Sequence, residues 1–252
     1  MKSQNTMIIG LTGQTGAGKS TLSGMFAGRG VPVINADAVA RETMENSRAC
    51  LMDLVLEFST EVIHPDATLN REKLAEICFS DRAKLKRLNE ITYPYIIAAI
   101  MRKIEEISAS GAPMLLLDAP TLFESGLDKK CDRIVAVTAD REVRLRRIIA
   151  RDAMTGEAAE RRVNAQNRDG FYTSRADDIL TNDGDQDELR LAFAELYARL
   201  ERLAADGAGR RARAAEPEPA PEEAPEPGAE TAADGGEDPD DGGFEELTGT
   251  DE

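Results

Sequence analysis

The chain has 252 residues and a formal net charge of −16. Residues 216–252 contain fifteen acidic residues and no Lys or Arg, so this segment accounts for nearly all of that charge. The near-neutral remainder does not favour a nucleic-acid partner. No apolar run approaches the roughly 20 residues that a membrane helix needs, so the composition argues against a membrane-spanning protein.

Five short apolar runs along the chain predict β-strands, at residues 7–12, 31–34, 114–118, 133–138 and 178–181. Amphipathic stretches between and after them predict helices, at residues 19–27, 71–79, 82–90, 95–108, 141–153 and 187–204. Most of the strand runs are nearly continuous, as is typical of parallel strands that are covered on both faces. The alternation of strands and helices predicts an α/β fold with a doubly wound, parallel, five-stranded sheet.

The spacing of these elements divides the chain into four parts. Residues 1–39, 110–140 and 176–206 form the predicted core. Residues 40–109 are far more than a simple crossover needs, so they predict a helical insertion in which a second substrate would be gripped. Residues 141–175 are rich in arginine and form a candidate lid. Residues 207–252 are acidic and proline-rich with few large apolar side chains, which predicts a disordered, solvated tail.

The first predicted strand leads into a phosphate-binding motif. Residues 13–20 read GQTGAGKS and match G-x-x-x-x-G-K-[ST] in full. In such a P-loop the backbone N–H groups cradle the phosphates, the lysine (here Lys19) reaches the β and γ oxygens, and the hydroxyl (here Ser20) ligates Mg²⁺. The alternative is a chance glycine-rich turn, but the strand before the motif and the helix after it favour nucleotide binding and a P-loop NTPase-type fold.

The P-loop alone does not decide between a kinase, a motor ATPase and a switch GTPase. A switch GTPase needs a guanine-binding N-K-x-D motif late in the fold, and residues 181–184 (TNDG) lack the lysine. A motor ATPase is usually larger than this single compact sheet. The sequence therefore favours a small-molecule kinase.

The second predicted strand runs into the segment NADAVAR, residues 35–41. Ligands of open α/β sheets bind beyond the carboxyl ends of the strands, so Asp37 lies at the rim of the phosphate site. There it could accept the proton of an attacking hydroxyl, and Arg41, on the same helical face, could hold a substrate phosphate. The alternative is that Asp37 only caps the following helix. Spacing alone leaves both interpretations open.

The third predicted strand ends at Asp118, directly before an Ala-Pro pair. An acidic residue at this strand end can hold Mg²⁺ through water, as Walker-B acids do. The alternative is a turn-forming Asp before Pro120. The Mg²⁺ interpretation is favoured.

Eight arginines lie between residues 141 and 168, and Arg144, Arg147 and Arg151 share one helical face. A solvated basic face is one interpretation. The other is a closing lid, because guanidinium groups suit bidentate phosphate contacts and a lid must neutralise charge while it excludes water.

Cysteine usage points to the cytoplasm. The three cysteines are far apart, form no C-x-x-C motif and are accompanied by a single histidine, so neither a metal cluster nor a disulfide framework is predicted. Buried thiols in a reducing compartment fit this pattern better. The N-terminal residues also lack an apolar run long enough for a signal peptide. No obligate protein partner is evident.

Eight segments, in order, resemble the dephospho-coenzyme A kinase family. They are LTGQTGAGKST, NADAVAR, LNREKLAEICFSD, LNEITYPYI, LLLDAPTLFESGL, RLRRIIARD, RRVNAQ and ADDILTNDG, and the resemblance runs from about residue 8 to residue 203. It implies transfer of the γ-phosphoryl group of ATP to the ribose 3′-hydroxyl of dephospho-coenzyme A, the last step of coenzyme A biosynthesis, with Mg²⁺ as the cofactor.

The resemblance also implies roles for individual residues. Asp37 becomes the general base. Arg147 and Arg151 become lid arginines at the phosphates, Arg162 and Gln166 match the second arm of the lid, and Asn182 lies near the adenine. The residues that contact ATP in the P-loop become Gly16, Ala17, Gly18, Lys19, Ser20 and Thr21.

The chain departs from the family pattern at two positions that bear on the acceptor. Asn35 stands where the family has an acidic residue, and Tyr93 stands before Pro94 where the family has histidine. These departures concern the grip on the acceptor rather than the reaction. Two alternatives remain, another P-loop kinase that acts on a nucleoside or a sugar, and a nucleotide-binding regulatory protein without catalysis. The second needs neither Asp37 nor the lid arginines.

Overall fold

A computed structural model describes residues 6–79 and 81–207 of the chain. Over these residues five strands form one parallel sheet, in the order β2-β3-β1-β4-β5. The strands are β1 (Met7–Gly13), β2 (Val33–Asn35), β3 (Met114–Asp118), β4 (Arg133–Thr138) and β5 (Asp178–Thr181). The doubly wound α/β prediction is confirmed. From residue 208 onward, the predicted acidic tail lies outside the described residues.

The helices alternate with the strands as the sequence predicts. They are α1 (Lys19–Gly28), α2 (Ala36–Asn46), α3 (Arg48–Phe58), α4 (Arg71–Phe79), α5 (Arg82–Ala109), α6 (Arg141–Asp152), α7 (Gly156–Asn164), α8 (Asp169–Thr173) and α9 (Gln186–Asp206), with short 3₁₀ turns at Thr60–Val62 and Leu127–Lys130. Helices α3, α7 and α8 lie outside the predicted helical stretches. Strand order reverses at β1, because β2 and β3 lie on one side of it and β4 and β5 on the other. A crevice at the carboxyl end of β1 is therefore the expected ligand site.

Two apolar layers cover the faces of the sheet. On one face α1 and α9 pack their aromatic rings together, with Phe26 and Phe193 edge to face at a centroid distance of 5.0 Å. On the other face the second half of α5 packs Ile100 and Ile104 against buried residues of β3 and β4. This double cover is the reason that the strands are apolar on both sides.

The chain between β2 and β3 is helical and has an apolar cluster of its own. Leu54 of α3, Leu74 of α4 and Leu88 of α5 are fully buried in it, together with Cys50 and Cys78. Burial raises the pKa of both thiols to about 11, so they are inert packing groups. All three cysteines are free and buried, as the sequence predicts.

One long helix replaces two that the sequence predicts. The pattern breaks the helix between residues 90 and 95 because Pro94 cannot donate a backbone hydrogen bond. In the structure α5 passes through Pro94 without ending. A buried stripe that includes Leu88, Ile96 and Ile100 runs along the whole helix, and packing of that stripe overrides the local preference of proline.

Helices α6 and α7 form a small separate layer. Ile148 of α6 and Ala159 of α7 are fully buried against each other's helix, with Leu145 and Val163 beside them. This apolar contact fixes the position of α6, which carries the arginines, relative to α7. In the part of the chain that the structure describes, none of these helices is long and apolar enough to cross a membrane.

Candidate active site

The P-loop follows β1 and takes a shape that depends on its glycines. Gly16 and Gly18 have φ angles of 80° and 105°, which side chains rarely adopt. A Cβ atom at Gly16 would meet the backbone of Arg144 on α6, and one at Gly18 would meet the side-chain amide of Asn182. The loop is thus enclosed from behind, and its concave side faces the cavity.

Asn182, directly after β5, fixes the P-loop rather than lining the cavity. Its Nδ2 donates a hydrogen bond of 2.7 Å to the carbonyl oxygen of Ala17, and the residue is only 6% exposed. Ala17 itself is fully buried. Both residues therefore act from behind the loop.

Lys19 is the first residue of α1, and the first turn of this helix, Lys19 to Thr21, lines the cavity. Gly18 caps this helix without a side-chain hydrogen bond. The Lys19 Nζ donates to the carbonyl oxygen of Gly13 across the loop, at 2.8 Å. The P-loop thus presents an ammonium group and a helix N-terminus to one place, which is a ready anion site.

A cavity of about 720 Å³ lies over this loop. It brings together residues that are distant in sequence, from the P-loop, α2, the end of β3 and α6. Of the site residues that the sequence predicts, the cavity is lined by Gly16, Gly18, Lys19, Ser20, Thr21, Asp37, Arg41, Asp118, Arg147 and Arg151.

The alternative role of Asp37 as a helix cap is wrong. Helix α2 begins at Ala36, and its N-cap is Asn35, whose Oδ1 accepts a hydrogen bond of 2.8 Å from the backbone N–H of Ala38. Asp37 stands inside the first turn and lines the cavity, together with Arg41 one turn later. Since asparagine caps about as well as aspartate, the departure at position 35 keeps the helix start intact.

Asp118 ends β3 beside the P-loop strand. It is in register with Leu11 of β1 and with Asn35 of β2, so it lies at the carboxyl edge between the two. The residue is 7% exposed and lines the cavity. The backbone after it is held by β1, because the Thr12 hydroxyl donates to the carbonyl oxygen of Pro120 at 3.2 Å.

The three arginines on one face of α6 have different environments. Arg144 is 4% exposed, and burial lowers the pKa of its guanidinium group. It donates to the carbonyl oxygen of Ala139 at 3.1 Å and supports the P-loop from beneath. A single solvated face, the first interpretation of the arginine run, is therefore wrong for Arg144.

Arg147 and Arg151 reach the cavity, each held by a neighbour. Arg147 donates to the carbonyl oxygen of Asn182 at 2.8 Å. Arg151 makes a two-pronged pair with Asp152, at 2.6 and 2.8 Å. That contact is the main cause that holds the pKa of Asp152 below its usual range. Arg162 of α7 shares the same carboxylate at 3.0 Å.

The loop between α7 and α8 contacts the P-loop, which sequence reasoning missed. The Gln166 side chain accepts from the backbone N–H of Thr15 at 2.9 Å and donates to the Thr15 hydroxyl at 2.6 Å. Beside it, Gln14 Nε2 donates to the carbonyl oxygen of Asn167 at 2.7 Å. These partners are about 150 residues apart, and no local pattern signals them.

The same loop reaches the chain after β3. Asn167 Nδ2 donates to the carboxylate of Glu124 at 3.0 Å. Burial raises the pKa of Tyr93, and the nearby Glu124 carboxylate raises it further. Burial and the Glu124 carboxylate also raise the pKa of Tyr172, on α8, to about 12. Tyr93, the second departure, is thus a partly buried phenol near the Glu124 carboxylate.

Comparisons with known proteins agree with this geometry. The family model described as dephospho-CoA kinase matches residues 7–188. A dephospho-CoA kinase from Arabidopsis thaliana is 36% identical over 195 residues, which cover 77% of this chain and 84% of the relative. One from Moorella thermoacetica is 36% identical over 200 residues, which cover 79% of this chain and 94% of the relative.

Solved structures have the same fold. The crystal structure of TT1252 from Thermus thermophilus is 33% identical and superposes with a TM-score of 0.65 over 77% of this chain and 98% of the other. A dephospho-CoA kinase from Campylobacter jejuni, 24% identical, superposes with a TM-score of 0.60 over 77% of this chain and 97% of the other.

Proposed function

The chain belongs to the dephospho-CoA kinase family, and we propose that it transfers the γ-phosphoryl group of ATP to the ribose 3′-hydroxyl of dephospho-coenzyme A, with Asp37 as the general base. The observation that carries the proposal is the joint placement of the P-loop, Asp37 and the α6 arginines around one cavity. The products are coenzyme A and ADP.

The P-loop side fits the triphosphate of ATP. Gly16 and Gly18 have positive φ angles, and a Cβ atom at either would collide with Arg144 or Asn182, so glycine is needed for the loop to curl with its backbone N–H groups around the phosphates. Lys19 can exchange its contact with Gly13 for the β and γ oxygens. Ser20 and Thr21, in the first turn of α1, line the cavity next to the loop. The hydrogen bond from Asn182 to Ala17 holds the loop in its shape.

The donor set beside the P-loop fits Mg²⁺. The Ser20 hydroxyl and the Asp118 carboxylate, both hard oxygen groups, line the cavity next to the phosphate site. Mg²⁺ bound there would neutralise charge on the transferred phosphoryl group. Within residues 6–79 and 81–207, no cluster of three His, Cys, Asp or Glu side chains forms a ready metal site. Mg²⁺ usually keeps several waters and borrows phosphate oxygens, so two protein ligands suffice.

Asp37 and Arg41 form the acceptor side of the proposed reaction. The Asp37 carboxylate takes the proton of the 3′-hydroxyl while that oxygen forms its bond to the γ-phosphorus and ADP leaves. Arg41, one turn further on α2, holds a phosphate group of the acceptor. Both residues lie on α2, which leads from the core, residues 1–39, 110–140 and 176–206, into the helical insertion, residues 40–109. The rest of the core supplies the nucleotide wall.

Residues 141–175 act as the lid in this proposal. Arg151 is paired with Asp152 at the edge of the cavity, and a phosphate oxygen can replace that carboxylate as its partner. Arg147 lies deeper and also donates to the β5–α9 loop. An arginine that turns to the γ-phosphoryl group on closure acts mainly on the charge of the transition state.

The lid proposal predicts a split between binding and rate for Arg151→Ala. We expect kcat to fall by about a hundredfold, the usual loss when one preorganised donor is removed, while ATP binding to the open enzyme weakens far less. Steady-state kinetics and direct ATP titration measure the two quantities. Arg146→Ala is the matched control, because Arg146 is an exposed arginine of the same helix outside the cavity. Equal kcat in the variant and the wild type would contradict the lid role.

An acceptor panel tests the proposed function. The purified chain is given ATP and Mg²⁺ with dephospho-coenzyme A, a nucleoside, a sugar or no acceptor, and ADP release is followed. We expect rapid ADP release only with dephospho-coenzyme A. Faster turnover of the nucleoside or the sugar would contradict this substrate, and release without any acceptor would indicate an ATPase.

We propose a cytoplasmic enzyme that needs no protein partner for this reaction.

A further inference from the structure

Three hydrogen bonds join the α7–α8 loop, which is part of the proposed lid, to the P-loop. Gln166 binds the backbone N–H and the hydroxyl of Thr15, at 2.9 and 2.6 Å. The next residue, Asn167, accepts from the side chain of Gln14 through its carbonyl oxygen at 2.7 Å. Gln14 is 4% exposed, so water competes little for this bond. Two adjacent residues of the lid therefore pair with two adjacent residues of the P-loop.

The α7–α8 loop is itself held from a third direction. The Asn167 side chain donates to Glu124 in the chain after β3, at 3.0 Å. The loop spans only the few residues between Asn164, where α7 ends, and Asp169, where α8 begins. The two helices fix the ends of this short loop and the Asn167–Glu124 hydrogen bond fixes its middle, so the position of Gln166 is well defined.

We propose that Gln166 is a positioning residue that fixes the P-loop in its phosphate-binding shape through Thr15. The proposal rests on the proposed function only in that ATP is the ligand of this loop. Gly13, Gly16 and Gly18 all have positive φ angles, and glycine loses more conformational freedom on ordering than other residues. A loop with three such residues orders at a large entropic cost unless a contact from outside holds it beforehand.

Thr15 is the place where such a contact is effective. Its N–H is directed to Gln166, so the peptide between Gln14 and Thr15 has one fixed orientation. The rest of the loop then needs no rearrangement when the phosphates arrive. Gln166 thus lowers the ordering cost of ATP binding without touching ATP.

A double-mutant cycle with Thr15→Val and Gln166→Met tests this proposal, with ATP affinity measured by titration in the absence of acceptor. Gln166→Met keeps length and removes both hydrogen bonds, so we expect about tenfold weaker ATP binding. Thr15→Val removes the hydroxyl contact alone, and about threefold is expected. Added to Gln166→Met, Thr15→Val should have no further effect, because its partner is already gone. Unchanged affinity in Gln166→Met, or the same Thr15→Val factor in both backgrounds, would overturn the proposal.

Two controls separate positioning from general stability and from the choice of substrate. A merely structural role predicts a lower thermal midpoint with unchanged ATP affinity, and that pattern also overturns the proposal. Gln186→Met changes an exposed glutamine at the start of α9, and it should alter neither the thermal midpoint nor the ATP affinity.

If Gln166→Met does not fold, Thr15→Val decides the question. A Thr15→Val variant with a normal thermal midpoint should bind ATP about threefold more weakly, and normal affinity in that variant overturns the proposal. Because no acceptor is present, a failure of the dephospho-coenzyme A assignment would leave these outcomes decisive.

Discussion

Asp37→Asn is expected to lower kcat by about 10²–10⁴-fold, the usual contribution of a positioned general base. The amide keeps the size and the hydrogen-bonding capacity of the carboxylate but cannot accept the proton of the 3′-hydroxyl. ATP affinity should change little, because in the proposed reaction the nucleotide binds the P-loop, on another wall of the cavity from Asp37. Stopped-flow or steady-state transfer to dephospho-coenzyme A, with a separate ATP titration, measures both quantities.

The structure provides a matched control for this variant. Asp187 is the second residue of α9, as Asp37 is the second residue of α2, and each helix has its own cap, Asp185 and Asn35. Asp187→Asn therefore makes the same chemical change at the same helical position away from the cavity. Both variants lose the same small favourable contact with the helix N-terminus, about 0.3–1 kcal/mol. A folded Asp37→Asn variant with turnover within about twofold of wild type would remove Asp37 from catalysis.

Lys19→Ala is expected to lower kcat more than about a hundredfold while the chain stays folded. The lysine supplies positive charge where negative charge develops on the transferred phosphoryl group. The hydrogen bond that Lys19 donates to the carbonyl oxygen of Gly13 contributes about 1 kcal/mol to stability, which is small beside the expected loss of activity. Transfer rates and the thermal midpoint check both statements.

Lys19→Met tests whether charge or packing is responsible, since it keeps the apolar stem of the side chain. It should be as inactive as Lys19→Ala. Lys73→Ala removes a lysine on α4 that pairs with Glu76 outside the cavity, and it should retain full activity. Transfer by Lys19→Ala near the wild-type rate would contradict the P-loop assignment.

Local sequence was enough to predict the sheet and the P-loop. Most of the strands are short apolar runs, and the P-loop is a contiguous pattern between a strand and a helix. The two roles of Asp37 could not be separated in this way, because asparagine and aspartate at positions 35 and 37 both favour helix starts. Only the hydrogen bond from Ala38 to Asn35 identifies the capping residue.

Contacts between distant residues were beyond sequence reasoning. The Gln166–Thr15 pair joins residues 151 positions apart, and the contact of Asn182 with Ala17 joins residues 165 positions apart. No local sequence pattern predicts either partner. Arg144 shares its helical face with Arg147 and Arg151, yet the depth of α6 in the fold buries it. Periodicity gives the face of a helix but not how closely each turn approaches its neighbours.

The position of the new phosphate tests the central claim most directly. Purified chain, ATP and Mg²⁺ are incubated with dephospho-coenzyme A and, separately, with its 2′-deoxy and 3′-deoxy analogues, and the products are identified by ³¹P NMR and mass spectrometry. The account predicts coenzyme A from the natural acceptor, a phosphorylated product from the 2′-deoxy analogue and none from the 3′-deoxy analogue. Phosphorylation of the 3′-deoxy analogue, or no product from dephospho-coenzyme A itself, would contradict it.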